Sequence, residues 1–281
     1  MPNWSYNHIV LQGDIEAVYK FVKIGLENSG LTPSGILEDD FNLLVNEGKT
    51  KFLDYKEKKI VMEKYLSART FLPMPDTFLL YDTTNYPNHY PVEVVKEQQE
   101  KYGVIGWYDY NCKTLGTKWN FDLNENNDIE LYKCKDKYRI CFYCQTAWSV
   151  PAAWMSAVKD MVPELEVMGA FKEEGYEFAC VSYINDGEFV EYSDISSEYA
   201  KLFSDHETAK EECEKKIRND AEHMERLCSE FMEENGKEPD ESDIDEIIDN
   251  EVNEEVGEFA DTDSLDDRLE SLLTELMDER M

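Results

Sequence analysis

Residues 128–163 read DIELYKCKDKYRICFYCQTAWSVPAAWMSAVKDMVP. Segments 128–135 and 137–148 predict two strands that turn near Lys135-Asp136-Lys137, a β-hairpin. In the second strand Ile140, Phe142, Cys144, Thr146 and Trp148 recur at every second position and share one face. Ser149 then stands where a helix cap belongs, and Pro151 suits a first helical turn. Met155, Val158 and Val162 follow at helical spacing before Pro163 closes the segment. A hairpin leading directly into a helix points to an α+β fold.

The flanking sequence extends this pattern. Upstream, Trp4 to Leu11 predicts a strand with no clean polar face, as expected of one covered on both sides. Gly13-Asp14 opens a helix with Asp14 as N-cap and a stripe of Ile15, Val18, Val22 and Leu26. Residues 28–70 are mixed, with an apolar patch at Leu43 to Val45 and a more basic run from Lys49 to Lys64, and read as an insertion at the side of the core. Phe71-Leu72-Pro73-Met74-Pro75 is stiffened by its prolines. A helix from about Pro91 to Tyr102 stops at Gly103. Next comes an aromatic block, Gly106-Trp107-Tyr108-Asp109-Tyr110-Asn111, leading to Gly116-Thr117-Lys118-Trp119. Downstream, strands at about 165–172, 176–184 and 188–192 are separated by Glu174-Gly175 and Asp186-Gly187.

The 281 residues carry 28 Lys+Arg against 62 Asp+Glu, a net charge of −34. Nucleic acid is bound largely through basic contacts to phosphate, so this balance argues against a generic DNA or RNA coat and against anionic membrane surfaces. The 17 Tyr, 13 Phe and 5 Trp argue against a disordered acidic chain. The charge is uneven: residues 197–281 hold 31 acids and 9 bases, whereas 1–196 hold 31 and 19. All five Trp lie in 1–196. The expected organisation is therefore an α+β body, 1–196, and an acidic helical region, 197–281. In the latter, Ser197 to Glu234 predicts one long helix. Glu238 to Asp263 holds 13 acids and no base. Yet Ile244, Ile248, Val252, Val256 and Phe259 recur at three or four residues, an amphipathic stripe. A last helix is expected from Ser264 to Glu279, with Leu265, Leu269, Leu272, Leu273 and Leu276 apolar.

Met1-Pro2-Asn3-Trp4 with Asn7 and Gly13, Phe71 to Pro75, Trp107-Tyr108-Asp109, Gly116-Thr117-Lys118-Trp119, Thr146-Ala147-Trp148-Ser149 with Pro151, and Glu173-Glu174-Gly175 occur in a fixed order. On these motifs the chain resembles the YubB-type ferredoxin-like domain family over roughly residues 1–185. The family often has Trp where this chain has Tyr110 and Leu115, and a second Pro where it has Val150. The resemblance implies a βαββαβ antiparallel sheet with helices, and proteins carried by phages, plasmids and integrated elements. It implies no iron–sulfur cluster, and no matching cysteine spacing is present.

The seven cysteines are odd in number and scattered. The N-terminus lacks a basic n-region and an apolar h-region, and no apolar run is long enough to span a membrane. Reduced thiols in a cytoplasm are expected. Cys141-Phe142-Tyr143-Cys144 is a CxxC, but in a strand positions three apart face opposite sides, so two ordinary buried thiols are expected. His206, Cys213, His223 and Cys228 lack tight metal-ligand pairing. Asp261-Thr262-Asp263 begins like a calcium loop, but Leu265 and Asp266 break it. No metal and no cofactor is expected. Nucleotide, hydrolase and metalloprotease signatures are absent.

Two sets of residues remain. Trp107, Tyr108, Asp109, Lys118 and Trp119 could hold a planar or sugar-like ligand, with Asp109 a base if His8 were its partner; they equally suit a sheet–helix core. Glu238, Asp240, Glu241, Asp243, Asp245, Glu246, Asp249, Glu251, Glu254 and Glu255 form the densest acidic run and could equally be a solvated face. The expected function is non-enzymatic binding of a macromolecular partner. In its sharper form the carboxylates occupy a basic, nucleic-acid-binding surface of a host protein, with Ile244, Ile248 and Val252 fixing the helix behind them. The alternatives are a small-ligand binder or enzyme at the aromatic block, and direct RNA or DNA binding by aromatics on a sheet.

Overall fold

The computed structural model of the protein describes residues 3–28, 51–53, 68–80, 90–119, 129–175, 177–257, 260 and 262–281. These divide into two compact units, one made of Met1–Ile195 with Arg268–Met281 and the other of Ser196–Asp267. The protein is α+β. The expected insertion at 28–70 lies outside the described residues, except for 28, 51–53 and 68–70.

The first unit opens with β1 (Trp4–Gly13) and α1 (Ile15–Asn28). A short strand, β2 (Lys51–Leu53), and the helices α2 (Ala68–Phe71), α3 (Asp76–Leu80), α4 (Val92–Tyr102) and α5 (Gly106–Thr114) follow. The hairpin is β3 (Ile129–Cys134) and β4 (Lys137–Ala147), and then come α6 (Ala152–Met161), β5 (Glu166–Glu173), β6 (Ala179–Asn185) and β7 (Glu188–Asp194). Among the described residues the strands form one antiparallel sheet in the order β2-β3-β4-β1-β5-β6-β7. The four strands β3, β4, β1 and β5 with α1 and α6 run strand, helix, strand, strand, helix, strand in the chain, with β2 and α2 to α5 between α1 and β3.

Alternation along the strands assigns the two faces. Ile9, Leu11, Ile140, Phe142, Cys144, Val167 and Phe171 face one core with Val18, Phe21 and Val22 of α1 and with Trp154, Met155 and Val158 of α6. The Trp154 ring meets Phe21, Phe71 and Phe142 edge-on at 6.4, 5.8 and 5.9 Å between centroids. Gly169 is required where β5 crosses β1, because a Cβ there would lie 2.7 Å from the His8 carbonyl oxygen.

Asn7 is buried on the same face. Its amide nitrogen donates to the carbonyl oxygens of Ser5 and Cys144, both at 3.0 Å, and to Thr146 Oγ1 at 2.9 Å. Its amide oxygen accepts from Ser5 Oγ at 2.8 Å. Asn7→Ala leaves buried polar groups without partners and is expected to cost about 1–3 kcal/mol. Urea denaturation checks this, and an unchanged midpoint would contradict the network.

The opposite face is covered by the chain's last residues. Helix α10 (Asp263–Glu279) contributes residues from Arg268 onward to this unit. Gln12 Nε2 donates to the carbonyl oxygens of Met277 and Arg280, both at 3.3 Å. Arg280 Nε donates to Glu166 Oε2 at 2.8 Å, and its guanidinium lies 4.0 Å from the Tyr183 ring centroid. His8 Nδ1 lies 2.8 Å from Glu270 Oε2. Leu269, Leu273, Leu276 and Met277 are buried. The sequence grouped all of 197–281 together; the structure gives Arg268–Met281 to the body, because an even-numbered face of β1, β5 and the residues paired with them must be covered.

The second unit holds α7 (Ser196–Asn219), α8 (Ala221–Asn235) and α9 (Glu241–Val256). The single helix expected from Ser197 to Glu234 is broken at Asp220, whose side chain accepts from the His223 backbone N–H and caps α8. Ile248 and Val252 of α9 pack with Cys213, Ile217 and Leu227. No helix among the described residues is long and apolar enough to cross a membrane.

Candidate functional site

The aromatic block is held by a chain of side-chain bonds. Gln98 donates to the Thr77 carbonyl at 3.0 Å and accepts from the Gly106 N–H at 3.1 Å, which fixes the start of α5. Buried Asn111 accepts from Arg69 at 2.6 Å and donates to the Lys118 carbonyl at 2.8 Å. Gly116, at φ 75°, turns the chain back. The Lys118 ammonium thereby lies 5.6, 4.3 and 5.2 Å from the ring centroids of Tyr108, Trp119 and Trp148. Trp4 packs on Trp119 at 5.7 Å. This is an aromatic cage whose cation is supplied by the protein itself.

Trp148 is not the last residue of β4: it has φ 71° and is exposed. Ser149 does not cap α6; its hydroxyl donates to the Gly116 carbonyl, and the α6 N-cap, Pro151, has no side-chain cap. Trp107 and Tyr108 are half-buried, and Asp109 is exposed. His8, the partner envisaged for Asp109, is bonded to Glu270. Three thiols, Cys144, Cys180 and Cys112, are not activated. Burial drives Cys144 far up, burial raises Cys180 to about 11, and burial raises Cys112. Cys141 and Cys144 are both free thiols.

Glu241–Val256 of the acidic run form a helix, and residues 258, 259 and 261 of that run lie outside the described residues. Asp240 accepts from the backbone N–H groups of Ser242 and Asp243, and Asp243 accepts in return from the Asp240 N–H, a reciprocal cap. Lys237, 2.7 Å away, and that backbone bond hold the Asp243 carboxyl below its ordinary range. Bonds from Arg218 to Asp245, Lys210 to Asn253 and His206 to the Gly257 carbonyl show α7 and α9 running antiparallel.

The ten expected contact residues fall into two groups. Asp243, Asp245, Glu251 and Glu255 face Lys237, Arg218, Arg226 and Lys216, and Asp240 is used as the cap. Glu238, Glu241, Glu246, Asp249 and Glu254 are exposed and form no ion pair among the described residues. Asp249 borders a groove of about 350 Å³ with Glu207, Lys210, Glu211, Glu214, Val252 and Asn253. The three α7 carboxylates were missed in the sequence. Their spacing of four and three residues, on a helix whose Cys213 and Ile217 are buried, was the available signal.

No family model matches the chain, and no curated protein matches it. Among solved structures, the crystal structure of a protein api92 from Yersinia pseudotuberculosis, assigned to family model DUF1281, aligns with 69% of this chain and 99% of its own. The identity is 10% and the TM-score 0.26, a level at which the likeness carries no argument.

Proposed function

We propose that the protein is non-enzymatic and binds a macromolecular partner through the acidic face of α7 and α9. The partner's complementary feature is a basic surface that otherwise holds nucleic acid. The observation that carries this reading is the set of carboxylates Glu241, Glu246, Asp249 and Glu254, without an ion pair among the described residues, on a capped helix anchored by Ile248 and Val252. Glu241, Glu246, Asp249 and Glu254 lie five, three and five residues apart and span about 20 Å of helix at about 1.5 Å per residue, so they form a broad acidic track at fixed positions rather than a diffuse cloud. Such a track attracts and orients a basic surface. In the setting that the YubB-type resemblance implies, a host defence protein is a fitting partner, and the strand order supports the ferredoxin-like reading of the body. The aromatic block is the weaker site, because Lys118 already fills its cage.

The test uses the full chain, since truncation at 196 would also strip Arg268–Met281 from the body. Wild-type protein and a Glu241→Gln/Glu246→Gln/Asp249→Asn/Glu254→Gln variant are immobilised and exposed to host lysate. Wild type is expected to retain basic proteins that duplex DNA elutes, and the variant to lose them. Equal retention by both would sink the acidic-face reading.

A second reading is favoured by one observation. Tyr6 and Tyr143, on adjacent strands, are exposed on the same face of the sheet, and His8 stacks on Tyr143 at 4.2 Å. Aromatics placed so can stack nucleobases. Binding of a labelled single-stranded oligonucleotide that is lost in Tyr6→Ala/Tyr143→Ala would favour it over the acidic face.

A further inference from the structure

Cys213, His223, Glu251 and Glu255 are brought together by three helices. Cys213 comes from α7, His223 from the first turn of α8, and the two glutamates from successive turns of α9. One donor atom each from His223, Glu251 and Glu255 lie within 4.8 Å of one another. His223 Nε2 is 2.7 Å from Glu251 Oε1, and Cys213 Sγ donates to Glu255 Oε2 at 3.5 Å. We propose that this cluster is a binding site for a zinc-type divalent transition-metal ion, independent of the partner reading above.

The donor set selects the metal. A thiolate, an imidazole and two carboxylates suit Zn²⁺ or Co²⁺, whereas Mg²⁺ and Ca²⁺ take oxygen ligands. Bonds of about 2.0–2.3 Å in tetrahedral geometry place neighbouring donors roughly 3.3–3.7 Å apart. The Cys213–Glu255 separation already matches such an edge, and the His223–Glu251 pair opens by a fraction of an ångström. Cys213 Sγ lies outside the three donors that are within 4.8 Å of one another, so it closes toward His223 and Glu251 as the metal binds. Cys213 is buried beside Ile217, Leu227, Ile248 and Val252, so the site has one dry wall. The Cys213 thiol proton is released to solvent as sulfur takes the metal. Three negative ligands around a dication leave a charge of about −1. Arg226, bonded to Glu251 at 3.0 Å, and Lys216, 3.7 Å from Glu255, are exposed enough to move outward and balance it. His206 and Cys228 take no part: His206 Nε2 is bonded to the Gly257 carbonyl. The grouping was hidden in the sequence because Cys213 and Glu255 are 42 positions apart.

The experiment is a Co²⁺ titration of the full chain followed by displacement with Zn²⁺. One equivalent of Co²⁺ is expected to give the visible bands of a four-coordinate ion and a near-ultraviolet thiolate-to-cobalt band, both abolished by Zn²⁺. Cys213→Ser should remove the thiolate band. His223→Ala and Glu251→Gln should each weaken Zn²⁺ binding by at least the ~10–100-fold seen when a supporting group is lost from a metal site. Glu233→Gln, an exposed acid on α8, should change nothing. Circular dichroism confirms that each variant is helical, and Glu255→Gln serves if one is not. Weak, multi-equivalent binding without the thiolate band, equal in wild type and variants, would overturn the site in favour of diffuse carboxylate attraction.

Discussion

A chain ending at Asp267 is expected not to yield a folded body. Residues Arg268–Met281 belong to the first unit, and Leu269, Leu273, Leu276 and Met277 are buried there. Each such side chain contributes about 1.5–3 kcal/mol by burial. Losing four removes a sum comparable with the ~5–15 kcal/mol that keeps a domain folded. The deletion also strips partners from Gln12, Glu166 and Tyr183. It leaves the sheet face that carries Val10, Cys141, Met168 and Val181 as an apolar patch open to association. The expected result is insoluble or aggregated protein, or loss of the cooperative unfolding transition. A soluble product with an unchanged denaturation midpoint would show that α10 is dispensable. A milder probe is Leu273→Ala, at a fully buried position, expected to cost about 2–5 kcal/mol.

The second large effect concerns association rate. Neutralising Glu241, Glu246, Asp249 and Glu254 together is expected to slow association with the partner retained by the wild-type protein. Electrostatic steering raises such rates by ~10–10³-fold, so at low ionic strength the loss lies in that range. The gap should narrow as salt is added, because the screening length falls from ~30 Å at 0.01 M to ~8 Å at 0.15 M. Stopped-flow or surface-binding kinetics across that interval measures it. None of the four carboxylates forms an ion pair among the described residues, so their removal should leave thermal stability intact or raise it by relieving repulsion along α9. A rate difference that does not depend on salt would mean that the substitutions act through shape rather than charge.

Local periodicity made much of the architecture legible. The alternation of Ile140, Phe142, Cys144 and Thr146 corresponds to β4, and the stripe of Met155, Val158 and Val162 to the buried side of α6. Gly103 does end α4, in a left-handed conformation. What periodicity could not provide was the surface that each stripe meets. Leu269, Leu273 and Leu276 would look the same whether the helix packed in a bundle or on a sheet, so the return of residues 268–281 to the body was invisible. The break at Asp220 was signalled by Asn219-Asp220 but masked by the continuing apolar spacing on either side. Ser149 carries a capping residue's chemistry yet bonds to Gly116, a partner brought near by tertiary structure. In the acidic region, composition revealed the charge of α9. It did not show which carboxylates are spoken for by Lys237, Arg218, Arg226 and Lys216, nor that Glu207, Glu211 and Glu214 share a groove with Asp249.

On the reading proposed above, this acidic face takes the place of nucleic acid on a basic surface. The direct measurement is the fluorescence anisotropy of a labelled duplex bound to the purified partner as this protein is added. Wild type is predicted to lower the anisotropy to that of free duplex, and the four-site neutral variant to leave the duplex bound over the same concentrations. If wild type leaves the duplex in place, or if both proteins displace it equally well, the acidic face is not the competing surface.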